Sequence, residues 1–305
     1  MREFEHRTVL RDATLQALQP ASGGRYLDGT LGGGGHSHAL LNATGPDGVV
    51  VGIDRDPHAL HAASLRLSDF GERFRPVRGE FGNMAQLAGA WAPLDGIVLD
   101  LGVSSPQLDH AERGFSFQHD GPVDMRMDPE RGETAAELIA RLDADTLADI
   151  IYRYGEEPRS RRIARAIVAD GPWTSTTALA ECIARSSGYK RSRTHPATRT
   201  FQALRIAVND ELGQLERALD AGMALLRPGG RMAVISFHSL EDRIVKQRFR
   251  ELAGRHTARD EFGHPVTPAR GRLIHPRGIA GRDADPDNPR ARSARLRVLQ
   301  TIPPQ

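Results

Sequence analysis

Cysteine is the residue that this sequence lacks most clearly, because Cys182 is the only one in 305 residues. A single thiol excludes an intrachain disulfide, and it excludes zinc or iron–sulfur sites that need several cysteines of one chain. Cys182 lies among small and apolar residues in a stretch with helical character. Its surroundings favour a buried structural cysteine over a nucleophile.

Lysine is almost as scarce, since Lys190 and Lys246 are its only occurrences and 39 of the 41 basic residues are arginine. Neither lysine follows a glycine, which excludes the phosphate-binding loop of ATP- and GTP-driven enzymes. The sequence also lacks an apolar run of about 20 residues, the length that spans a bilayer. Its first twelve residues are too charged for a secretory signal. We expect a cytoplasmic protein without a membrane partner.

The formal net charge is only +2, but the charge is unevenly distributed. Residues 158–205 hold ten basic and two acidic residues, and residues 255–305 hold ten arginines and five acidic residues. These two segments carry +8 and +5, which leaves −11 for the remainder. Basic segments on an acidic body predict a polyanionic partner such as nucleic acid, although ordinary solvated surface is an equal alternative from charge alone.

Strand and helix patterns alternate in the first hundred residues. Apolar runs at 26–27, 49–53, 74–77 and 94–99 predict strands, and Asp56-Pro57 has the capping residues that begin a helix. Such alternation is typical of a parallel, doubly wound sheet. The pattern resumes near residue 206, with a long helix over Phe201–Leu219, a strand at 231–237 and a helix at 239–252. We further expect an irregular, mobile segment at 254–289 and an edge strand at 294–300.

Between these parts, residues 107–205 show helical signals only. Thr134 and Glu137 form a capping-box pattern, and apolar spacing predicts amphipathic helices near 142–154, 159–169 and 178–185. We therefore predict two domains. One is an α/β domain split between residues 1–106 and 206–305, and the other is an inserted, all-helical, basic substrate-recognition domain at 107–205.

Polar residues follow the predicted strands where an open α/β sheet binds its ligand. A glycine-rich loop follows Asp28, Asp54 ends the second strand 19 residues after Gly35, and Asp100 ends the fourth. A carboxylate at such a spacing binds ribose hydroxyls in dinucleotide-binding folds. The arrangement fits nicotinamide, flavin and S-adenosylmethionine (SAM) cofactors about equally. Two features favour SAM. The loop does not have a clean Gly-x-Gly-x-x-Gly pattern, and an Arg-Pro-Gly-Gly turn is present before the fifth strand.

Several longer motifs resemble one family, the bacterial 16S ribosomal RNA cytosine-N4 methyltransferases. They are Asp28–Ser37 (DGTLGGGGHS), Ile53–Pro57 (IDRDP), Asp100–Asp109 (DLGVSSPQLD), Ala111–Phe117 (AERGFSF), Gly121–Pro129 (GPVDMRMDP), His195–Ala203 (HPATRTFQA), Ile235–Lys246 (ISFHSLEDRIVK) and Asn288–Ser293 (NPRARS). The resemblance runs nearly end to end. It implies a Rossmann-like SAM-dependent methyltransferase sheet with an inserted helical domain. It further implies methyl transfer to N4 of a cytidine in the decoding region of the small ribosomal subunit.

The resemblance also implies particular site residues. The cofactor contacts that it carries over are Gly34, Gly35, His36, Asp54, Phe81, Asp100 and Gln107. The glycines, Asp54 and Asp100 also follow from the sheet argument, whereas Phe81 and Gln107 rest on the resemblance. For the target base we consider Ser105, Pro106 and His238, each with a structural role as the rival interpretation. We expect Arg159, Arg161, Arg162, Arg191 and Arg193 to neutralise RNA phosphates.

Two other functions stay open at this point. A nicotinamide-dependent dehydrogenase would share the glycine loop and the ribose-binding acid, but it leaves the basic insertion unexplained. A non-catalytic RNA-binding assembly factor would keep the fold without turnover. The sequence does not distinguish a monomer from a homodimer, and it leaves metal dependence open.

Overall fold

A computed structural model describes residues 7–188, 195–255, 261 and 268–303 of the chain. Of the predicted RNA-binding residues, Arg191 and Arg193 lie outside this part. The chain divides into two compact units, residues 1–102 with 212–305 and residues 103–211. The predicted insertion, 107–205, lies inside the second unit. Among the described residues, no helix has the length and apolar character that a membrane crossing requires.

The first unit is built on one mixed sheet. Its strands are β1 (Arg25–Asp28), β2 (Val49–Asp54), β3 (Phe74–Arg78), β4 (Leu94–Asp100), β5 (Leu226–Ser236), β6 (Gly271–Leu273), β7 (Ile279–Ala280) and β8 (Arg295–Thr301). The order is β3-β2-β1-β4-β5-β8-β6, and β7 pairs with β8. The first five strands are parallel, and β8 runs antiparallel to its neighbours. This topology confirms the predicted Rossmann-like α/β fold.

Helices cover both faces of this sheet. They are α1 (Arg11–Leu18), α2 (Gly35–Ala43), α3 (Pro57–Arg66), α4 (Met84–Ala88), α11 (Glu211–Leu225), α12 (Ser239–Leu252) and the short α13 (Gly281–Ala284). One apolar core joins alternate strand residues such as Ile97 and Leu99 to α4, α11 and α12, and the other joins residues such as Val98 to α1, α2 and α3. The predicted cap is present, because Asp56 Oδ1 accepts a hydrogen bond from His58 N at 3.0 Å.

The described residues of the second unit contain helices and loops but no strand. Its helices are α5 (Ser105–Asp109), α6 (Ala135–Arg141), α7 (Ala144–Gly155), α8 (Ser160–Asp170), α9 (Thr176–Ser187) and α10 (Thr198–Asn209). Buried residues of α6–α10 and of the preceding loops form one core of its own, which includes Cys182. The capping box is present, since Thr134 Oγ1 accepts from Glu137 N at 3.2 Å and Thr134 N donates to Glu137 Oε2 at 2.7 Å.

Three sequence-based expectations are wrong. The predicted long helix over Phe201–Leu219 is two helices, because Asp210 has a left-handed backbone with φ of 48° between α10 and α11. The irregular structure expected over 254–289 is wrong for the described part of that segment, which contains β6, β7 and α13. For that reason β8 is no edge strand, since β6 pairs with its outer side. The spacing of apolar residues cannot reveal a helix break at a single residue. Nor can it reveal that a strand of only three residues pairs with β8.

The Asn288–Ser293 motif lies close in space to the residues that precede α1. Asn288 Oδ1 caps the 3₁₀ turn Pro289–Ser293 through Arg290 N at 3.2 Å. In the preceding turn, Asp285 pairs with Arg7 at 2.9 Å and accepts from Leu10 N at 3.2 Å. These contacts attach the chain just before α1 to the turn before β8.

Candidate active site

Three carboxylates lie at the carboxyl ends of adjacent parallel strands. Asp28 ends β1, Asp54 ends β2 and Asp100 ends β4. Because β1 lies between the other two strands, this edge of the sheet gathers acidic groups from three separate parts of the sequence. It is also the edge at which open α/β sheets bind ligands. The position predicted from sequence is therefore the position that the fold gives these residues.

The loop between β1 and α2 is shaped by its glycines. Gly32 and Gly34 have φ of +48° and +74°, a region that side chains disfavour. Gly35 begins α2 so close to Thr8 that a Cβ atom there would lie 1.8 Å from Thr8 Oγ1. Gly33, by contrast, is exposed, and no heavy atom of the described residues lies within 4 Å of a Cβ position there. The backbone at the tip of the loop, at Gly33, is therefore accessible. At Gly35, where α2 begins, there is no room for a side chain.

Asp54 is held by two backbone donors. Gly32 N donates to Oδ2 at 2.8 Å and Asp56 N donates to Oδ1 at 2.9 Å. Burial raises the pKa of Asp54 to about 6, against the lowering effect of these hydrogen bonds. Each carboxylate oxygen keeps a second lone pair that can accept a ligand hydroxyl. Asp54 is thus oriented by the glycine loop that it is predicted to complement.

Asp28 and His36, which flank the glycine loop in the sequence, are both buried. Asp28 accepts from Ser37 Oγ at 2.8 Å and from Thr30 N at 3.3 Å, and burial raises its pKa. His36 Nε2 lies 3.5 Å from Asp100 Oδ2. Burial alone would lower the pKa of His36, but Asp100 and Asp28 together raise it above the usual value. His36 thus lies within hydrogen-bonding reach of a group of carboxylates that favour its protonated form.

One carboxylate oxygen of Asp100 has no hydrogen-bond partner among the residues that the structure describes. Its backbone N donates to Thr30 Oγ1 at 2.6 Å, and Oδ2 faces His36. Oδ1 is buried and accepts no hydrogen bond from the described part of the chain. A buried, unpaired carboxylate oxygen costs free energy unless a ligand satisfies it. This oxygen is the clearest sign that the site is built to receive a donor or a cation.

Phe81 lies on the 3₁₀ turn Phe81–Asn83 after β3, and it is half-buried against the core that α4 and α11 share. Sequence reasoning missed the polar groups around it, Glu80 and Gln214. Thr30 and Ser37 were also missed, although both lie within the glycine-loop motif. Only their contacts in the folded chain distinguish them from ordinary loop and helix residues.

Gln107, Ser105 and Pro106 belong to the second unit, in α5. The Gln107 side chain takes part in the N-terminal cap of that helix, because Ser104 N donates to its Oε1 at 3.0 Å. Ser105 Oγ is buried without a hydrogen-bond partner among the described residues, and Pro106 is exposed. Gln107 thus has a structural contact beside its predicted role toward the cofactor.

His238 is the N-cap residue of α12. Its Nδ1 accepts from Glu241 N at 3.5 Å and its Nε2 lies 3.1 Å from Glu241 Oε1, while Phe237 N donates to Glu241 Oε2 at 2.8 Å. These contacts give His238 the structural role that we kept as its rival interpretation. A role toward the target base stays a hypothesis.

The predicted phosphate-binding arginines fall into two groups. The guanidinium of Arg159 donates to Ser187 O, and that of Arg162 lies beside Gly188, so both lie at the C-terminus of α9. Arg161 lies near the start of α8 and is exposed, as is Arg165 one turn later. Cations in the first turn of a helix oppose its macrodipole. The position of Arg161 is therefore not one that helix stability selects.

Comparison with known proteins identifies the family. The sequence profile of the MraW methylase family matches residues 3–302. The chain belongs to this family. Proteins named ribosomal RNA small subunit methyltransferase H are 51% identical in Trichlorobacter lovleyi, over 99% of this chain and 100% of the relative, and 52% identical in Geobacter sulfurreducens, over 98% and 99%. A third, from Magnetococcus marinus, is 51% identical over 98% of this chain and 99% of the relative.

Membership of a methylase family decides between the enzyme classes that the sequence left open. The protein is a methyltransferase, as the motifs predicted, and the nicotinamide-dependent dehydrogenase is excluded. The family match includes the described residues of both units, so it covers the acidic strand ends and the basic helices together.

Proposed function

We propose that the protein transfers a methyl group from SAM to the exocyclic N4 of a cytidine in the decoding region of 16S ribosomal RNA, within the cytoplasmic small ribosomal subunit. The observation that carries this proposal is the match of the whole chain, at about 50% identity, to ribosomal RNA small subunit methyltransferases. The geometry of the acidic strand ends supports it independently.

The residues at the strand ends fit SAM. Asp54 has free lone pairs for ribose hydroxyls, and Gly34, Gly35 and His36 begin the helix beside it. The unpaired Asp100 Oδ1 suits a cationic or hydrogen-bond-donating ligand, and the aromatic ring of Phe81 suits the adenine. Gln107 completes the set by resemblance. SAM supplies an electrophilic methyl group on a sulfonium, and its positive charge is favoured where carboxylates gather.

The chain's own contribution to methyl transfer is orientation. SAM, if bound in line with N4, would supply the methyl group: its methyl–sulfur bond would break as the N4 lone pair forms the new N–C bond, and the N4 proton would pass to water. Positioning of this kind is worth several kcal/mol of the barrier. The N4 lone pair is delocalised into the ring, so an acceptor for an N4 hydrogen would redirect it toward the methyl. Asp100 and the turn Ser104–Pro106 are the candidates for that acceptor.

The second unit is proposed to bind the RNA. Arg161 and Arg165 present exposed guanidinium groups on one side of α8, one turn apart. Contacts from arginine to phosphate are independent of base sequence and weaken with salt. The target cytidine must be unstacked, or already unpaired, to reach the methyl group.

The test uses methyl-labelled SAM and small subunits from cells that lack this methylation. After digestion of the RNA, the expected labelled nucleoside is N4-methylcytidine. Label on another nucleoside would overturn the assigned acceptor. Confirmed SAM binding without labelling, on subunits and on naked RNA alike, would favour the non-catalytic assembly factor.

A further inference from the structure

Gln214 is a buried amide in a helix whose other buried residues, after Glu211 at its start, are apolar or glycine. It lies in α11, it is 2% exposed, and its neighbours Leu215 and Leu219 belong to the core under the sheet. A buried amide costs free energy unless its donors and acceptor are paired. The packing of α11 alone would be served by an apolar side chain of similar volume, so the polar atoms call for another explanation.

The polar atoms of Gln214 contact the residues on either side of Phe81. Gly82 N donates to Gln214 Oε1 at 3.0 Å, and Gln214 Nε2 donates to Glu80 Oε2. Glu80 in turn lies 3.8 Å from Arg55, the residue that follows Asp54. One side chain therefore fixes the turn before and after Phe81, and its partner Glu80 extends this link to the strand end of the ribose-binding acid.

The approach of Gln214 also explains the glycine after Phe81. A Cβ atom at Gly82 would lie 2.2 Å from Gln214 Oε1, so a larger residue would displace the amide or the turn. Gly82 has no left-handed backbone that would require glycine for other reasons. The Glu80–Gly82 turn is thus matched to Gln214, although 132 residues separate Gln214 from Gly82.

We propose that Gln214 is a positioning residue for the cofactor's adenine, acting through Phe81. By holding Glu80 and Gly82, it fixes the backbone from which the Phe81 ring projects. Preorganisation of this kind lowers the entropy that binding must overcome. The inference rests on the proposed use of SAM. It goes beyond the proposed function by naming a residue that would act without touching the cofactor or the RNA.

The test exchanges the donor and the acceptor of the pair. In Gln214→Glu, Gly82 N keeps an acceptor, but two carboxylates then face each other at position 80 and position 214. In Glu80→Gln the donor of Gln214 keeps an oxygen acceptor. We expect Gln214→Glu to weaken SAM binding about tenfold, Glu80→Gln to stay within threefold of wild type, and the double variant Glu80→Gln/Gln214→Glu to recover most of the loss.

Two further readouts separate positioning from a loss of folding. At saturating SAM, the kcat of Gln214→Glu should stay within about twofold while its KM for SAM rises. In a Phe81→Ala background, Gln214→Glu should cause no further loss of SAM affinity, because its effect passes through the missing ring. Losses that add in full, or equal losses in kcat and in RNA affinity, would overturn the proposal.

These experiments distinguish a failure of the proposed function from a failure of the inference about Gln214. Wild-type protein that fails to bind SAM would contradict the proposed function itself. Wild-type binding with unchanged affinity in Gln214→Glu would contradict only the inference about Gln214.

Discussion

The two units of this protein place their charges in opposite ways. The first unit gathers three carboxylates at the ends of β1, β2 and β4, where burial raises the pKa of Asp28 and Asp54. The second unit exposes arginines such as Arg161 and Arg165 on a helix whose other side is apolar core. A small cationic cofactor is suited by a few buried groups in fixed geometry, whereas a long polyanion is suited by exposed charge that tolerates imprecise contact.

This difference predicts how substitutions behave in each unit. In the first unit, the strand-end carboxylates of Asp28 and Asp54 accept hydrogen bonds from the neighbouring backbone. A substitution there should therefore affect both ligand binding and local structure. Exposed arginines in the second unit contribute little to folding, so their loss should affect only the proposed RNA binding. The following predictions test that contrast, beginning with the largest effect.

Replacing Asp54 by Ala should have the largest effect. The change removes the proposed acceptor for the ribose and leaves Gly32 N and Asp56 N without their acceptors. Hydrogen bonds to a charged group are worth about 1.5–3 kcal/mol, which corresponds to SAM binding weaker by roughly 10- to 150-fold. Titration calorimetry measures this loss. The exposed Asp69→Ala is the matched control and should bind SAM as wild type does; equal affinity in both variants would contradict the role of Asp54.

Alanine substitutions in the glycine loop should lower the free energy of unfolding at Gly35 but not at Gly33. Gly35→Ala places a Cβ atom against Thr8, and overpacking of this kind costs about 1–3 kcal/mol of the free energy of unfolding. Gly33→Ala meets no neighbouring atom and should change that free energy by less than about 1 kcal/mol. Urea unfolding of both variants measures the difference. Equal stabilities would show that the contact between Thr8 and Gly35 does not constrain the loop.

The pH dependence of the first unit should have opposite signs for folding and for binding. The pKa of Asp54 in the folded protein, about 6, exceeds that of an unfolded chain, about 3.9. Its contribution to stability is therefore fully present below about pH 4 and is lost as the pH rises through 6. The proposed ribose contact uses the ionised carboxylate, so SAM affinity should fall up to tenfold for each pH unit below about 6. Thermal unfolding and calorimetry between pH 4.5 and 7.5 check both slopes, and Asp54→Ala should lack this inflection.

The second unit should show a smaller effect that depends on salt. Loss of two phosphate contacts in Arg161→Ala/Arg165→Ala lowers the salt slope for single-stranded RNA by about 1.4, which is about a sevenfold difference between 50 and 200 mM salt. SAM affinity and stability should not change. Arg141→Ala, an exposed arginine of the same unit paired with Glu133 at 2.6 Å, is the control. A double variant with an unchanged slope would place the RNA contacts elsewhere.

The smallest effect is expected from Cys182→Ala. Methylation of cytosine at carbon 5 would need a thiolate, but Cys182 is 1% exposed and burial raises its pKa to about 11. Transfer to N4 needs no thiol, so labelled-methyl transfer should stay within about twofold of wild type once the variant's folded fraction is measured. A complete loss of transfer in folded protein would contradict the N4 assignment.

The carboxyl ends of the parallel strands are where sequence reasoning worked best. Asp54 and Asp100 could be predicted because a strand that is buried on both faces is a continuous apolar run, and the residue that ends it stands out. The sheet order beyond β5 could not be predicted. β6 has only three residues, and its pairing with β8 depends on contacts across the sheet that no local pattern encodes.

The amino-acid sequence by itself determined the class of this protein, because strand runs, turn glycines and capping residues are local signals and the long motifs identify the family. Tertiary structure alone decided which polar groups act together. The folded chain gives Gln214 its two partners at the Phe81 turn and commits Arg159 to the end of α9 while Arg161 faces solvent. Among the described residues it leaves Asp100 Oδ1 without a hydrogen-bond partner. The physical reason is that a hydrogen bond or an ion pair depends on distance in space, which separation along the chain does not fix.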